Sequence, residues 1–340
     1  MSSPRTVIIS SFLLVFLIAG LVFWQNTKRQ TPAPRKIYRI AILLRDTGYG
    51  QAIEGYKNKM SELGYVENKN VTYSVYVVSD QKELLQVARS LVEKGVDLIH
   101  TYSTLATQAA YEATKELNRP IPVVFGSMGD PLLSGVIKSV QHPGTNVTGV
   151  ASLSTELTAN RLELLKKINP QIVRVAMPYS APEVKDPAAD KSVQVAEKTA
   201  TYLGITLSLY PIVSSKDNAL VAKSITHENA DGMIVGGDSL VWGGIAYYIK
   251  QAIAEKIPFA VFDVSQVEKG ALIGFGPDYR ASGKQSALIT HQILRGKNPG
   301  DISIAAPRLL LAVNLKTASE IGISLGPAFL NTVDVIIGGK

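Results

Sequence analysis

The chain has 340 residues, 46% hydrophobic and 19% charged, which excludes a disordered, collagen-like or coiled-coil protein and leaves enough chain for two domains. It contains no cysteine, so a disulfide framework, a thiolate metal site, a cysteine nucleophile and a lipidated cysteine are excluded. The net charge of +7 sits at one end: Arg5, Lys28, Arg29, Arg35 and Lys36 fall in residues 1–36 with no acid, leaving 30 basic against 28 acidic residues for the rest, so no nucleic-acid partner is expected.

Residues 7–24 are apolar except for Ser10 and Ser11, long enough to cross a bilayer and longer than the apolar core of a cleaved signal peptide. No small-x-small cleavage site follows. The expectation is an uncleaved signal anchor, with a cleaved signal as the alternative. Residues 25–36, with Pro32 and Pro34, read as an extended tether. The positive charge after the run, taken alone, favours keeping the body inside.

From residue 37 the pattern alternates. Residues 37–44 form an apolar strand, and 51–63 a helix with Ala52, Ile53, Tyr56, Met60 and Leu63 on one face, closed by Gly64. Strand 71–78, helix 81–94 stopped by Gly95, strand 96–101, helix 105–117 capped by Ser103 or Thr104, and strand 121–125 follow. A second series repeats the theme: helix 155–168, strand 172–177, a helix near 189–203 stopped by Gly204, then strands 205–213, 233–235 and 259–262 with helices between. Leu63-Gly64 leading to Asp97 is echoed by Leu203-Gly204 leading to Asp231. The fold class expected is therefore α/β, two similar doubly wound parallel-sheet lobes, with ligands bound where the carboxyl ends of the strands face a shared cleft.

Those strand ends carry Thr47 and Tyr49, Ser103 and Thr104, Ser127 and Asp130 in the first lobe, and Tyr179, Asp238 and Asp263 in the second. The set suits a small zwitterion. A helix N-terminus with the Ser103 and Thr104 hydroxyls holds a carboxylate. An aspartate (Asp130, Asp238 or Asp263) holds an ammonium. The tyrosines supply flat apolar walls. The competing reading is local: serines and threonines at such places cap helices, and an aspartate before proline makes a turn.

Catalytic signatures are missing. His100, His142, His227 and His291 are dispersed, with no His-Glu-x-x-His, no Gly-x-Ser-x-Gly and no phosphate loop. Gly48-Tyr49-Gly50 hints at a dinucleotide loop, but the next glycine, Gly55, comes two places too late. No catalytic residue, metal or cofactor is assigned, and the chain is read as a non-enzyme.

Residues 121–137 (IPVVFGSMGDPLLSGVI), 143–150 (PGTNVTGV) and 274–299 (GFGPDYRASGKQSALITHQILRGKNP), with 97–110 and 313–323, resemble the ABC-transporter substrate-binding family that includes the tryptophan/tyrosine-type binding proteins. The resemblance implies a type I periplasmic-binding fold with three hinge crossings, placed near 149–151, 272–276 and 307–313. Residues 37–150 plus 274–306 would form one lobe and 151–273 plus 307–340 the other, after the anchor and tether in 1–36. It also implies a solute-binding component of an importer that closes over an amino acid, by family default an aromatic one. ABC permease and ATPase subunits would be its partners. The body would be extracytoplasmic or periplasmic, held to the inner membrane by residues 7–24, or secreted if they are cut. The alternative is a membrane-tethered sensory module that signals to a partner protein. Pro178-Tyr179-Ser180-Ala181-Pro182 departs from the family's Tyr-Asn-Pro-Ser, which leaves the far side of the ligand open.

Overall fold

The structure, a computed structural model, describes residues 36–45 and 47–339. The expected signal anchor at 7–24 lies outside the described residues. Among the described residues no helix is long and apolar enough to cross a membrane.

Two sheets, within one unit that begins at Tyr38, make the frame. The first has strands in the order β2-β1-β3-β4-β5: β1 (Tyr38–Leu44), β2 (Val71–Val77), β3 (Leu98–Tyr102), β4 (Val123–Ser127) and β5 (Val147–Gly149). Every pairing in it is parallel. Between its strands run α1 (Gly50–Glu62), α2 (Gln81–Glu93) and α3 (Thr104–Glu116). Parallel strands need such crossovers, which cover both faces. β1 shows the result. Ile42 and Leu44 face one core and Ala41 and Leu43 the other, all at most 1% exposed. Each large side chain so buried contributes about 1.5–3 kcal/mol.

The second series supplies α4 (Thr158–Ile168), β6 (Arg174–Ser180), α5 (Pro187–Leu203), β7 (Thr206–Ile212), α6 (Asn218–Ser224), β8 (Gly232–Ile234), α7 (Ser239–Gly243), α8 (Ile245–Ala254), β9 (Phe259–Val261) and α9 (Val264–Glu268). β10 (Ile273–Pro277), α10 (Tyr279–Leu294), β11 (Leu309–Asn314), α11 (Leu315–Glu320), α12 (Pro327–Leu330) and β12 (Val335–Ile337) complete the chain. The second sheet runs β12-β11-β10-β9-β8-β6-β7.

One feature differs from the sequence expectation. Residues 272–276 and 307–313, expected as two of the crossings, are mostly strand: β10 pairs parallel with β9 and antiparallel with β11 inside the second sheet. Gly276 explains why it fits there, because a Cβ at that position would lie 1.8 Å from the carbonyl oxygen of Phe262. The chain leaves the sheet only after Pro277. The Asp278 N–H then donates to the Arg308 carbonyl at 2.8 Å, tying the outgoing strand to the returning one.

α10 packs on α1 against the first sheet. Two glycines permit a backbone-to-backbone crossing: a Cβ on Gly283 would lie 2.0 Å from the Ala52 carbonyl oxygen, and one on Gly55 would lie 2.3 Å from that of Arg280. The third passage returns beside the first, where Val150 and Ala305 form a parallel bridge.

Candidate functional site: a cleft between the two sheets

The carboxyl ends of both sheets meet around one cavity. Tyr49 sits in a 3-10 turn (Thr47–Tyr49) just after β1, and Ser103 follows β3, where the β3–β4 register shifts between Thr101 and Tyr102. Ser127 ends β4, followed by Met128 and Gly129. Ser152 and Ser154 lie on the first passage between sheets. Gly237, Asp238 and Ser239 follow β8, Phe262 follows β9, and Tyr279 opens α10. The sheets stand close, so the void these residues enclose is about 20 Å³, room for one water molecule. Anything larger than a water molecule enters only if the sheets part.

Ser103 holds the sharpest backbone feature of the site. Its φ of 87° and ψ of 156° lie in a region that is essentially glycine-only, at a cost of about 1–3 kcal/mol. Its neighbours impose that conformation. The Ser103 N–H donates to the Ser127 carbonyl at 3.0 Å, and the Thr107 hydroxyl donates to the Ser103 carbonyl at 2.8 Å. The kink aims the N-terminus of the 13-residue α3 at the cavity, with the Ser103 and Thr104 side chains on its wall. A helix N-terminus with hydroxyls around it is a site for an anion such as a carboxylate.

Rings supply the apolar part of the lining. Tyr49, Phe262 and Tyr279 are on the wall, Trp242 packs against all three from behind it, and Tyr102 packs behind Tyr49. They join the two sheets into one apolar cluster.

A buried cation stands behind this wall. Arg161, on α4, is fully buried. Its Nη1 donates to the carbonyls of Ser154 (2.9 Å) and Val235 (3.2 Å), while Nε and Nη2 meet no partner among the described residues. The guanidinium carbon lies 5.5 Å from the centre of the Phe262 ring. Burial pulls its pKa down to about 9, so it stays charged at neutral pH. Asp263, also buried, caps α9 by accepting from the Ser265 and Gln266 N–H groups through Oδ1 and leaves Oδ2 without a partner among the described residues. Desolvation pushes it up to about 6.

Of the nine residues singled out from the sequence, the structure brings Tyr49, Ser103, Thr104, Ser127 and Asp238 to the cavity wall. The Asp238 carboxylate is spent locally: Oδ1 accepts from the Leu240 and Val241 N–H groups at 2.9 and 3.0 Å and from the Ser180 hydroxyl at 2.7 Å, while Oδ2 accepts from the Ser180 N–H. Asp186, buried beside it, takes the Ser239 hydroxyl at 3.3 Å, and burial together with the Asp238 charge raises its pKa. Asp263 lies one residue beyond the lining Phe262. Asp130 makes the turn instead, accepting from the Leu133 N–H at 2.9 Å. Thr47 is exposed, and Tyr179 is half-buried in β6 away from the lining. The residues that sequence reasoning missed are Ser152, Ser154, Phe262 and Tyr279 on the wall, and Trp242 and Arg161 behind it. Only proximity to the passages between sheets marks the first two and Tyr279.

Comparison with known proteins fits this geometry. A family model described as ABC transporter substrate binding protein matches residues 39–335. The chain belongs to that family. The ABC transporter substrate-binding family is one of solute-binding proteins rather than enzymes. A curated relative, a tyrosine-binding protein of Clostridioides difficile (strain R20291), is 28% identical over 283 residues, 82% of this chain and 78% of the relative. Among solved structures, a conserved domain protein from Vibrio cholerae is 26% identical with a TM-score of 0.82, covering 88% of this chain and 100% of that one. An ABC domain from Streptococcus pneumonia, solved in complex with L-Trp, is 23% identical with a TM-score of 0.80, covering 89% of this chain and 100% of that one. These likenesses match the α/β architecture of parallel sheets flanked by helices expected for a type I periplasmic-binding fold.

Proposed function

We propose that this chain is the solute-binding component of an ABC importer and that it closes over an aromatic amino acid without altering it. The observation that carries this reading is the presence of two unlike groups of residues around one cleft. The strained Ser103 aims the N-terminus of α3 at the cavity beside the Thr104 and Ser127 hydroxyls. The rings of Tyr49, Phe262 and Tyr279 line the same cavity. The first suits an α-carboxylate and the second a flat apolar side chain. The relative that binds tyrosine and the structural neighbour that holds L-Trp support the same ligand class.

Ligand bridging the two sheets stabilises the closed arrangement by its differential affinity for it. That arrangement then docks on a permease driven by an ATPase. Residues 7–24 tether the body to the outer face of the cytoplasmic membrane. Asp263, with one carboxylate oxygen unpartnered among the described residues, is the residue we assign to the ammonium. Titration calorimetry of the purified full-length protein against a panel of amino acids tests the reading. Saturable heat with an aromatic amino acid is expected, and a folded protein that binds no amino acid overturns it. Digestion of the body by protease added to intact spheroplasts is the expected result for the tether, and protection of the body overturns the placement.

A further inference from the structure

We propose that Tyr49 and Trp242 read the side chain of the solute, admitting a planar ring between their two faces. The proposal deepens the solute-binding reading above and rests on it.

Four rings pack in succession, forming a chain of ring contacts, here called the column, beside the cleft. Tyr102 and Tyr49 lie 5.1 Å apart with planes at 28°. Tyr49 and Trp242 lie 5.0 Å apart at 3°. Trp242 and Phe262 lie 4.4 Å apart at 35°. Tyr102 ends β3 and Tyr49 follows β1 of the first sheet, whereas Trp242 and Phe262 follow strands of the second. The column therefore passes from one sheet to the other at a single step, Tyr49 to Trp242, and that step is the most nearly parallel of the three. When the sheets part, the outer pairs travel as units and this step opens. Two parallel faces separating along their common normal make a slot for a flat ring.

A third ring flanks the step, and because α10 packs on α1 it belongs to the Tyr49 side. Tyr279 meets Tyr49 edge-on at 5.5 Å and 89°, and Trp242 at 5.4 Å and 90°. A ring entering between the two faces gains offset stacking on both sides, with the Tyr279 ring at the rim of the Tyr49 face. An aliphatic side chain of similar size gains only the burial of its surface. Trp242 is not on the cavity wall while its face lies against Tyr49, so its part emerges only once the step opens.

The sequence makes the test direct, because it holds two tryptophans, Trp24 and Trp242. In the full-length Trp24→Phe protein, emission reports Trp242 alone. L-Phenylalanine and L-tyrosine are expected to change that emission saturably, and to bind at least about ten-fold more tightly than L-leucine. Trp242→Leu and Tyr49→Leu are each expected to weaken the aromatic amino acids about ten-fold or more while changing L-leucine binding less than about three-fold, and Trp242→Phe should restore most of the loss. Circular dichroism and the thermal midpoint establish that each variant is folded. If a leucine variant does not fold, the Trp242 emission in the Trp24→Phe protein decides. L-Leucine binding as tightly as L-phenylalanine, equal weakening of both by Trp242→Leu, or an emission that does not respond to a bound aromatic amino acid overturns the slot and leaves solute binding standing. A folded protein that binds no amino acid overturns both.

Discussion

Arg161 donates through Nη1 to the carbonyl oxygen of Ser154 at 2.9 Å, so a buried guanidinium is fixed directly behind a residue of the cleft wall. Its charge is only partly compensated, since Nε and Nη2 meet no partner among the described residues. In a low-dielectric surrounding such a cation favours a negative group in the adjacent cavity. Arg161→Met keeps the bulk and removes the charge. The expected outcome is a loss of about ten-fold in affinity for an amino acid and a smaller loss for its carboxamide, measured as the ratio of the two dissociation constants by calorimetry. An unchanged ratio would count against an electrostatic role.

Ser103 is expected to show its strain in a substitution that removes it. Glycine accepts φ 87°, ψ 156° freely, and the cap it gives up is long, with the Ala106 N–H 3.4 Å from the Ser103 hydroxyl. Ser103→Gly should therefore raise stability by about 1 kcal/mol in a denaturant titration, with weaker ligand binding as the hydroxyl is lost. Ser103→Ala keeps the strain and loses the hydroxyl, so it should lower both.

Asp263 contributes to the pH dependence, with buried Asp186, also raised, acting in the same direction. The pKa of Asp263 is raised by burial to about 6, above the ordinary value near 4, so the folded protein binds the proton more tightly than the unfolded chain. Stability from this group is fully present below about pH 4 and falls as pH rises towards 6, by up to about 3 kcal/mol. Asp231, held low by its hydrogen bonds from Arg174, works in the opposite direction and loses its contribution as pH drops below about 4. Asp263→Asn retains a capping oxygen and does not titrate. The decline in unfolding free energy between pH 4 and 7 should shrink in that variant, and an identical decline would assign the effect elsewhere.

The α1–α10 crossing makes a sharp contrast between two glycines. Gly283→Ala puts a Cβ 2.0 Å from the Ala52 carbonyl oxygen and must push the helices apart, at a cost of about 3 kcal/mol in denaturant unfolding. Gly50→Ala, at the exposed start of α1, meets nothing within 4 Å and should change stability by less than about 1 kcal/mol. Equal effects would mean that the crossing is soft.

Much of the frame was legible because it is written in local patterns. The run from Ile40 to Leu44 has no polar member, as a strand covered on both faces demands, and Gly64 and Gly204 stop helices where a left-handed residue is needed. Strand ends then pointed to Tyr49, Ser103, Thr104, Ser127 and Asp238. Asp130 and Thr47 went astray because the same residue types serve turns, and nothing in one sequence separates a turn aspartate from one that faces a ligand. Phe262, Trp242 and Arg161 were invisible for another reason. Phe262 and Trp242 sit in apolar stretches that read as core, Arg161 sits on a mixed polar helix where an arginine reads as solvated, and the place of each at the cleft depends on how the second sheet faces the first. The antiparallel β10–β11 pair was hidden likewise, since pairing direction is set by a passage through the other half of the molecule.

The hydrogen bond from Asp278 to Arg308 gives that pair a mechanical role. The strand that leaves the second sheet and the one that comes back are bound side by side up to the point where they part, so they flex together as a two-ply leaf spring. Bending across its width is easy, while twisting or sliding one ply past the other breaks ladder bonds. Under the closure proposed above, such a pair favours one direction of bending, which would bring the Tyr49 and Trp242 faces back towards each other.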